Sequence, residues 1–132
     1  MSRPDKTAYY LDIAEKVASR STCMRRQYGA ILVKGDVIVS TGYNGSPRSA
    51  ENCCDIGTCY RIAHSIPHGQ QYEKCQAVHA EVNAIINAIP SDREGATLYL
   101  VGLEDGKRIE HPQPCELCAK IIRNAQIRRV ES

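Results

Sequence analysis

The sequence predicts an α/β protein with three layers, α/β/α, in which helices cover both faces of one sheet that starts with an N-terminal hairpin. Three segments repeat apolar residues at helical spacing, short β-branched runs separate them, and the later helices each link two strands along the chain. Because strands joined by helices usually run parallel, we expect parallel pairing with right-handed crossovers after the hairpin. The length of 132 residues predicts a single domain spanning 1–132.

The first half of the chain is predicted to hold one helix and the hairpin. Apolar side chains share a face at helical spacing over residues 6–19, which indicates an amphipathic helix. Apolar runs at 28–34 and 37–43 then flank a turn at Gly35, as is typical of a hairpin.

The second half alternates helices and strands. A helix is predicted over 78–89, where Pro90 ends it, and a buried strand over 96–102. A second helix over 115–125 and a short last strand over 127–130 follow, which gives the order α-β-β-α-β-α-β.

Between the two halves, residues 44–76 show no periodicity and are rich in Gly, Pro, Ser, His and Cys. Loops of this length are uncommon inside a compact domain and are usually functional or disordered. Four of the seven cysteines lie in this stretch. A metal that replaces the missing apolar core is therefore a third interpretation.

Composition excludes several classes of protein. The 17 Lys and Arg residues against 15 Asp and Glu give a formal charge of +2 without a basic run, which disfavours binding to the phosphates of long nucleic acids. Aromatic residues make up 5% and are all tyrosines, so a stacking platform for single strands is poorly supplied. No apolar run approaches the roughly 20 residues of a membrane span, and the polar N-terminus does not resemble a signal peptide. We therefore expect a cytoplasmic protein without a membrane partner.

Seven cysteines in a chain without a secretory signal indicate metal ligands or catalytic thiols more than disulfides, and their odd number agrees with that. One pair, Cys115 and Cys118, has the spacing that places both thiols on one side of a first helical turn. A helix N-terminus lowers the pKa of such thiols and so favours metal binding.

His79 opens the other predicted helix, at a point that the topology can bring to the same sheet edge. One imidazole and two thiolates supply three ligands of a tetrahedral zinc ion and leave a fourth position open, as in catalytic zinc sites. Zinc lowers the pKa of a bound water towards about 7, and a carboxylate is then needed to carry the proton to a departing group. Glu81 is our candidate, because Glu116 lies between the two thiols and should face away from them.

The pattern His79-Ala-Glu81 followed by Pro114-Cys-Glu-Leu-Cys118 matches the zinc deaminase signature. With it, nearly the whole chain resembles the cytidine/deoxycytidylate deaminase superfamily, and the run Gly42-Tyr-Asn-Gly-Ser-Pro47 is most similar to its deoxycytidylate (dCMP) deaminases. The resemblance implies hydrolytic deamination of dCMP to dUMP and ammonia in pyrimidine deoxynucleotide metabolism. It also implies zinc on His79, Cys115 and Cys118, with Glu81 carrying protons to N3 and to the leaving amine.

The resemblance further implies a substrate site in which Asn44 contacts the sugar and the Ala80 N–H holds the base carbonyl. For the phosphate we consider Arg26, Ser46 and Arg48, which lie in the stretches that flank the sugar site.

Some members of this family carry a second, structural zinc. Cys23 and Cys53 match its first two ligands, Cys75 is a third candidate, and Cys59 is our choice for the fourth, with His68 or Cys54 as substitutes. The alternative is a set of reduced, partly buried thiols.

Relatives of this kind form homo-oligomers, often hexamers, that are activated by dCTP and inhibited by dTTP. The chain departs from them in a short C-terminus after the last strand and in a long polar connection over 104–113. Either difference could alter subunit contacts or the response to effectors.

Two alternative functions stay open at this point. One is a deaminase of another nucleoside, nucleotide or base: cytidine, dCTP, guanine or adenosine in transfer RNA. The other is a non-catalytic accessory module held together by zinc, which would have no use for a carboxylate beside the metal.

Overall fold

The computed structural model describes residues 2–57, 59–67, 75 and 77–132. Its helices and strands alternate along the chain as α1 (Lys6–Ala18), β1 (Gln27–Lys34), β2 (Val37–Tyr43), α2 (Cys53–Ile56), α3 (Tyr60–Ala63), α4 (Ala80–Asn87), α5 (Pro90–Arg93), β3 (Thr97–Glu104), β4 (Lys107–Arg108), α6 (Glu116–Asn124) and β5 (Arg129–Glu131). Every predicted element is present within a few residues of its expected bounds. Three short helices and the two-residue strand β4 were not predicted.

The strands form one sheet in the order β2-β1-β3, with β4 and β5 both pairing with β3. β1 is antiparallel to β2 and to β3, and of the pairs between described strands only β3 with β5 is parallel. The helix-linked strands run in the same direction, as expected: β3 pairs with β5 in parallel, and β2 is parallel to β3 without pairing with it, because β1 lies between them. The connection through α4 crosses over β1, with β2 and β3 on either side of it.

Helices cover both faces of the sheet, which confirms the three-layer α/β/α class. Alternate side chains of β1 and β3 point to opposite faces, because the side-chain period of a strand is two. One face packs on α1 through Tyr10, Ala14, Ile31, Val33, Tyr99 and Val101. The other packs on α4 and α6 through Ala30, Leu32, Ala84, Ile85, Leu98, Leu100 and Ile122.

Helix α4 is tied closely to β2. The Ser40 hydroxyl donates a buried hydrogen bond to the Ala84 carbonyl at 2.7 Å, and the Asn83 and Asn87 side chains donate to the carbonyls of Tyr43 and Thr41, each at 2.8 Å. The absence of a side chain at Gly42 lets the two backbones approach. These contacts fix the helix that carries the candidate site residues.

The long irregular segment is closed at its base by a bridge between Gly45 and Val78. Its two backbone hydrogen bonds measure 3.1 Å and 2.7 Å. The bridge returns the chain to the end of β2 before α4 begins. Within the described part of the chain, no helix is both long and apolar enough to cross a membrane.

Candidate active site

Two helix N-termini bring the three predicted metal ligands together. His79 is the N-cap residue of α4, Cys115 is the N-cap residue of α6, and Cys118 lies in the first turn of α6. His79 Nδ1 lies 3.1 Å from the Cys118 sulfur and 3.6 Å from the Cys115 sulfur. Among the described residues, this is the only group of three or more His, Cys, Asp or Glu ligand atoms within 4.8 Å of one another.

The three side chains fit a zinc ion. Zinc–nitrogen and zinc–sulfur bonds of about 2.0 and 2.3 Å at the tetrahedral angle separate nitrogen from sulfur by about 3.5 Å, close to the spacing observed. Burial lowers the pKa of His79, and the nearby Arg61 charge lowers it further, so the imidazole stays neutral with a lone pair available. For Cys118 the pKa is raised, not lowered as its place in a first helical turn led us to expect, because burial and the Glu81 carboxylate outweigh the effect of the helix N-terminus. A thiolate there needs a cation beside it.

Glu81 lies in the first turn of α4, beside these ligands, and is only 6% exposed. Burial raises its pKa, because an ionised carboxylate loses its hydration there, while hydrogen bonds to its own backbone and to Cys118 act in the opposite direction. Glu116, the competing candidate, is exposed on the surface of α6. Of the two candidate carboxylates, the structure thus places Glu81, and not Glu116, beside the three ligands.

A cavity opens beside the three ligands. His79, Glu81 and Cys115 line it together with three arginines, Arg25, Arg26 and Arg61. The other lining residues are Cys23, Tyr28, Asn44, Cys75, Ala77 and Gln113. A cavity with metal ligands and several arginines suits a small anionic molecule, which would bind the arginines through its negative charge and present its reacting group to the metal.

Asn44 is buried in the cavity wall and is held by its own hydrogen bonds. Its Oδ1 accepts from the Tyr28 N–H at 2.8 Å and from the Ser21 hydroxyl at 2.6 Å, and its Nδ2 donates to the Arg26 carbonyl at 2.9 Å. Both acceptor positions of Oδ1 are used, and Nδ2 has one further hydrogen to offer. Asn44 is thus a rigid donor beside the cavity.

The other predicted substrate contacts are distributed unevenly. Arg26 lines the cavity, whereas Ser46 and Arg48 do not. Arg48 is exposed and donates to the Asn87 side chain at 2.8 Å, on the outer surface of α4. Ala80 is buried as the first residue of α4, where a helix leaves its N–H groups without intrahelical acceptors.

Two further cavity arginines were not predicted. Arg25 donates to the Ile66 carbonyl at 2.9 Å, and Arg61, only 5% exposed, donates to the Pro67 carbonyl at 2.8 Å. Arg25 could have been suspected from its place beside Arg26. Arg61 lies in the aperiodic stretch, where the sequence gives no sign that its side chain is buried.

The second proposed zinc site lies next to the same cavity. Cys53 and Cys59 are buried, and Cys23 and Cys75 are partly buried. Burial raises the pKa of the Cys75 thiol, with smaller effects from Cys23 and Cys59, so these three groups are near neighbours. Their sulfur atoms do not meet the 4.8 Å spacing of the first group. Cys54 is exposed, and His68 falls outside the described residues.

Comparison with known proteins identifies the family. The family model described as the cytidine and deoxycytidylate deaminase zinc-binding region matches residues 4–131. Deoxycytidylate deaminase of Mycobacterium phage D29 is 38% identical over 135 residues, covering 98% of this chain and 95% of the relative. The Schizosaccharomyces pombe deoxycytidylate deaminase is 41% identical over 86 residues, which cover 65% of this chain and 26% of that protein.

A solved structure agrees with the sequence relatives. The crystal structure of dCMP deaminase from the cyanophage S-TIM5 in apo form matches with a TM-score of 0.68 and 27% identity, covering 98% of this chain and 82% of that one. The metal ligands, the fold and the matched sequence lead to one conclusion: the chain belongs to the cytidine and deoxycytidylate deaminase zinc-binding family.

Proposed function

We propose that this protein is a zinc-dependent hydrolase that converts dCMP to dUMP and ammonia in pyrimidine deoxynucleotide metabolism. The observation that carries the proposal is the group of His79, Cys115 and Cys118 beside buried Glu81, next to a cavity that is also lined by arginines. The deoxycytidylate deaminases among its relatives support it.

A zinc ion held by His79, Cys115 and Cys118 would supply an activated water at neutral pH. Glu81 accepts a proton from that water and delivers protons to N3 of the base and to the leaving amine. Its burial suits this role, because a carboxyl group with a raised pKa exchanges protons readily near neutral pH. Loss of ammonia and gain of a carbonyl oxygen at C4 complete the hydrolysis.

The remaining cavity residues orient the nucleotide. The second hydrogen of Asn44 Nδ2 binds the sugar, and the Ala80 N–H holds the base carbonyl. Arg26 binds the phosphate, supported by the charges of Arg25 and Arg61, since all three side chains line the cavity. Arg48 and Ser46 contribute less, because neither lines it.

The central test uses zinc-loaded protein and measures ammonia release from dCMP. We expect Glu81→Gln to lower kcat by about 10²- to 10⁴-fold, the usual contribution of a general acid–base group. The variant should keep its zinc, because Glu81 is not a ligand. Undiminished turnover by this variant would exclude the mechanism, and turnover of free cytidine in preference to dCMP would exclude the substrate.

The phosphate assignment has a matched pair of variants. Arg26→Glu should raise KM for dCMP at least tenfold more than KM for deoxycytidine, whereas Arg48→Glu should change both by less than about threefold. Both variants make the same change of charge, and only one alters the cavity. If the two substitutions raised KM for dCMP equally, Arg26 would not be the residue that binds the phosphate.

We also propose a second, structural zinc bound by Cys23, Cys53, Cys59 and Cys75. Binding would draw these four thiols together. It would thereby stabilise the fold of the segment that carries Cys53, Cys59 and Cys75, which has few apolar residues to form a core. Metal analysis should find close to two zinc ions per chain, and close to one in Cys59→Ser. Cys54→Ser is the control, because Cys54 is exposed. One zinc per chain in the unmodified protein would refute this site.

Assembly and regulation complete the proposal. We propose a cytoplasmic homo-oligomer, a hexamer by analogy with the family, with dCTP and dTTP as effectors. Sedimentation and dCMP kinetics at several effector concentrations test both parts.

A further inference from the structure

An ion pair joins Arg26, which lines the cavity, to Glu104, which lies on the protein surface. Arg26 Nη2 lies 3.2 Å from Glu104 Oε2, and Arg26 Nη1 lies 3.5 Å from the Tyr28 hydroxyl oxygen. The Arg26 side chain is 25% exposed and lines the cavity, whereas that of Glu104 is 49% exposed and lies outside the lining. The negative charge is therefore close to the cavity without being part of its wall.

Strand pairing fixes this ion pair. The register of β1 with β3 ends with Gln27 opposite Leu103, so Arg26, the residue before β1, comes close to Glu104, the last residue of β3. Directly opposed side chains in an antiparallel pair are neighbours, and opposite charges there attract. Glu104 also pairs with Lys107 in the β3–β4 hairpin, so its backbone is held from both sides. The pair is thus set by the sheet and does not depend on a loose loop.

We propose that Glu104 is a specificity-determining residue that lowers the preference of the cavity for ligands with additional phosphate groups, and this rests on the proposed function. Glu104 offsets part of the charge of Arg26, from which it is separated by 3.2 Å. A ligand phosphate near Arg26 is attracted by the guanidinium and repelled by this carboxylate, so the penalty grows with each negative charge on the ligand. Glu104 therefore reduces the gain in affinity that a second or third phosphate would otherwise bring.

The test measures dissociation constants of deoxyuridine, dUMP and dUDP for the zinc-loaded protein by calorimetric titration. Removing the carboxylate that lies 3.2 Å from Arg26 should strengthen binding of an anion at Arg26 by about twofold per unit of ligand charge after screening by salt. We expect Glu104→Gln to bind dUMP about fourfold and dUDP about eightfold more tightly, with deoxyuridine unchanged.

Two further variants separate charge from structure. Glu104→Asp keeps the carboxylate and should keep the unmodified ratio of dUDP to dUMP affinity, even where it lowers stability. Glu94→Gln removes the same charge near the opposite end of β3, about 23 Å of strand away, and should leave the ratio unchanged.

The inference is overturned by an equal change for dUMP and dUDP. It is overturned as well by weaker nucleotide binding in Glu104→Gln, which would mean that Glu104 only positions Arg26. Binding does not require turnover, so this outcome is independent of whether the protein releases ammonia from dCMP, which tests the proposed function.

Discussion

Gly42→Ala is the substitution that most directly tests how the sheet positions the metal ligands. A Cβ atom at Gly42 would lie 2.3 Å from the Ala84 nitrogen and 2.6 Å from the Ala80 carbonyl oxygen, both in the backbone of α4. Ordinary contact begins at 3.4 Å, so the helix must move away from β2 by about 1 Å. The atoms in the way belong to the backbone of α4, which cannot turn aside as the end of a flexible side chain can.

The expected cost follows from that displacement. Overpacking a well-packed interior typically lowers the free energy of unfolding by about 1–3 kcal/mol, and we expect the upper end because the obstacle is backbone. The same movement displaces His79 and Glu81, which begin α4, relative to Cys115 and Cys118 on α6. A misplacement of about 1 Å at a reacting centre can lower turnover about 100-fold.

Gly29→Ala is the matched control. Its Cβ atom would lie 2.1 Å from the Ala14 carbonyl oxygen, in the backbone of α1, a helix that carries no candidate site residue. Urea unfolding, zinc content and dCMP turnover at a temperature where each variant is folded complete the assay. We expect both variants to lose stability and only Gly42→Ala to lose zinc and activity. Equal loss of zinc in the two, or unmodified stability of Gly42→Ala, would refute the reasoning.

Three further predictions concern single side chains. Asn44→Ala removes the partner of the Tyr28 N–H and of the Arg26 carbonyl, whereas Ser21 keeps its bond to the backbone carbonyl of residue 44. The free energy of unfolding in urea should therefore fall by about 1–3 kcal/mol; a loss below about 0.5 kcal/mol would contradict it. Cys118→Ser should lose the zinc that Cys54→Ser retains, measured by metal analysis after dialysis. The hydrogen bond to Asp36, with burial, raises the pKa of Tyr10 to about 12, above its unfolded value near 10. The stabilising contribution of this hydrogen bond is therefore complete below pH 10 and is lost between pH 10 and about 12. The unfolding free energies of the unmodified protein and of Tyr10→Phe should converge over that range. A constant difference between the two free energies across it would exclude the effect.

The sequence predicted the features that depend on local spacing. The pattern from His79 to Glu81 and the pair Cys115 and Cys118 are each short enough for one helical turn to hold them, so their geometry is almost independent of the rest of the chain. The same holds for the hairpin, whose turn at Gly35 needs only adjacent residues.

Features that depend on distant parts of the chain were not predictable. Burial of Arg61 depends on how the irregular segment folds back on the cavity, and composition does not encode that path. The contact of Arg26 with Glu104 depends on the pairing of β1 with β3, which the sequence did not predict. Strand β4 is only two residues long, too short for an alternating pattern to reveal.

The position of β1 between β2 and β3 was not predicted, but this did not affect the prediction of the metal site, and the topology explains why. The two ligand-bearing helices α4 and α6 follow β2 and β3, which run in the same direction on either side of β1. Their carboxyl ends therefore lie at the same edge of the sheet, whichever way β1 runs between them. The excursion of more than 30 residues after β2 does not separate them, because the bridge between Gly45 and Val78 returns the chain to that edge one residue before His79. The order of strands and helices along the chain was therefore sufficient to predict that the imidazole of His79 and the two thiols meet. The polar contacts of the other cavity residues depend on the strand register, which the sequence does not reveal.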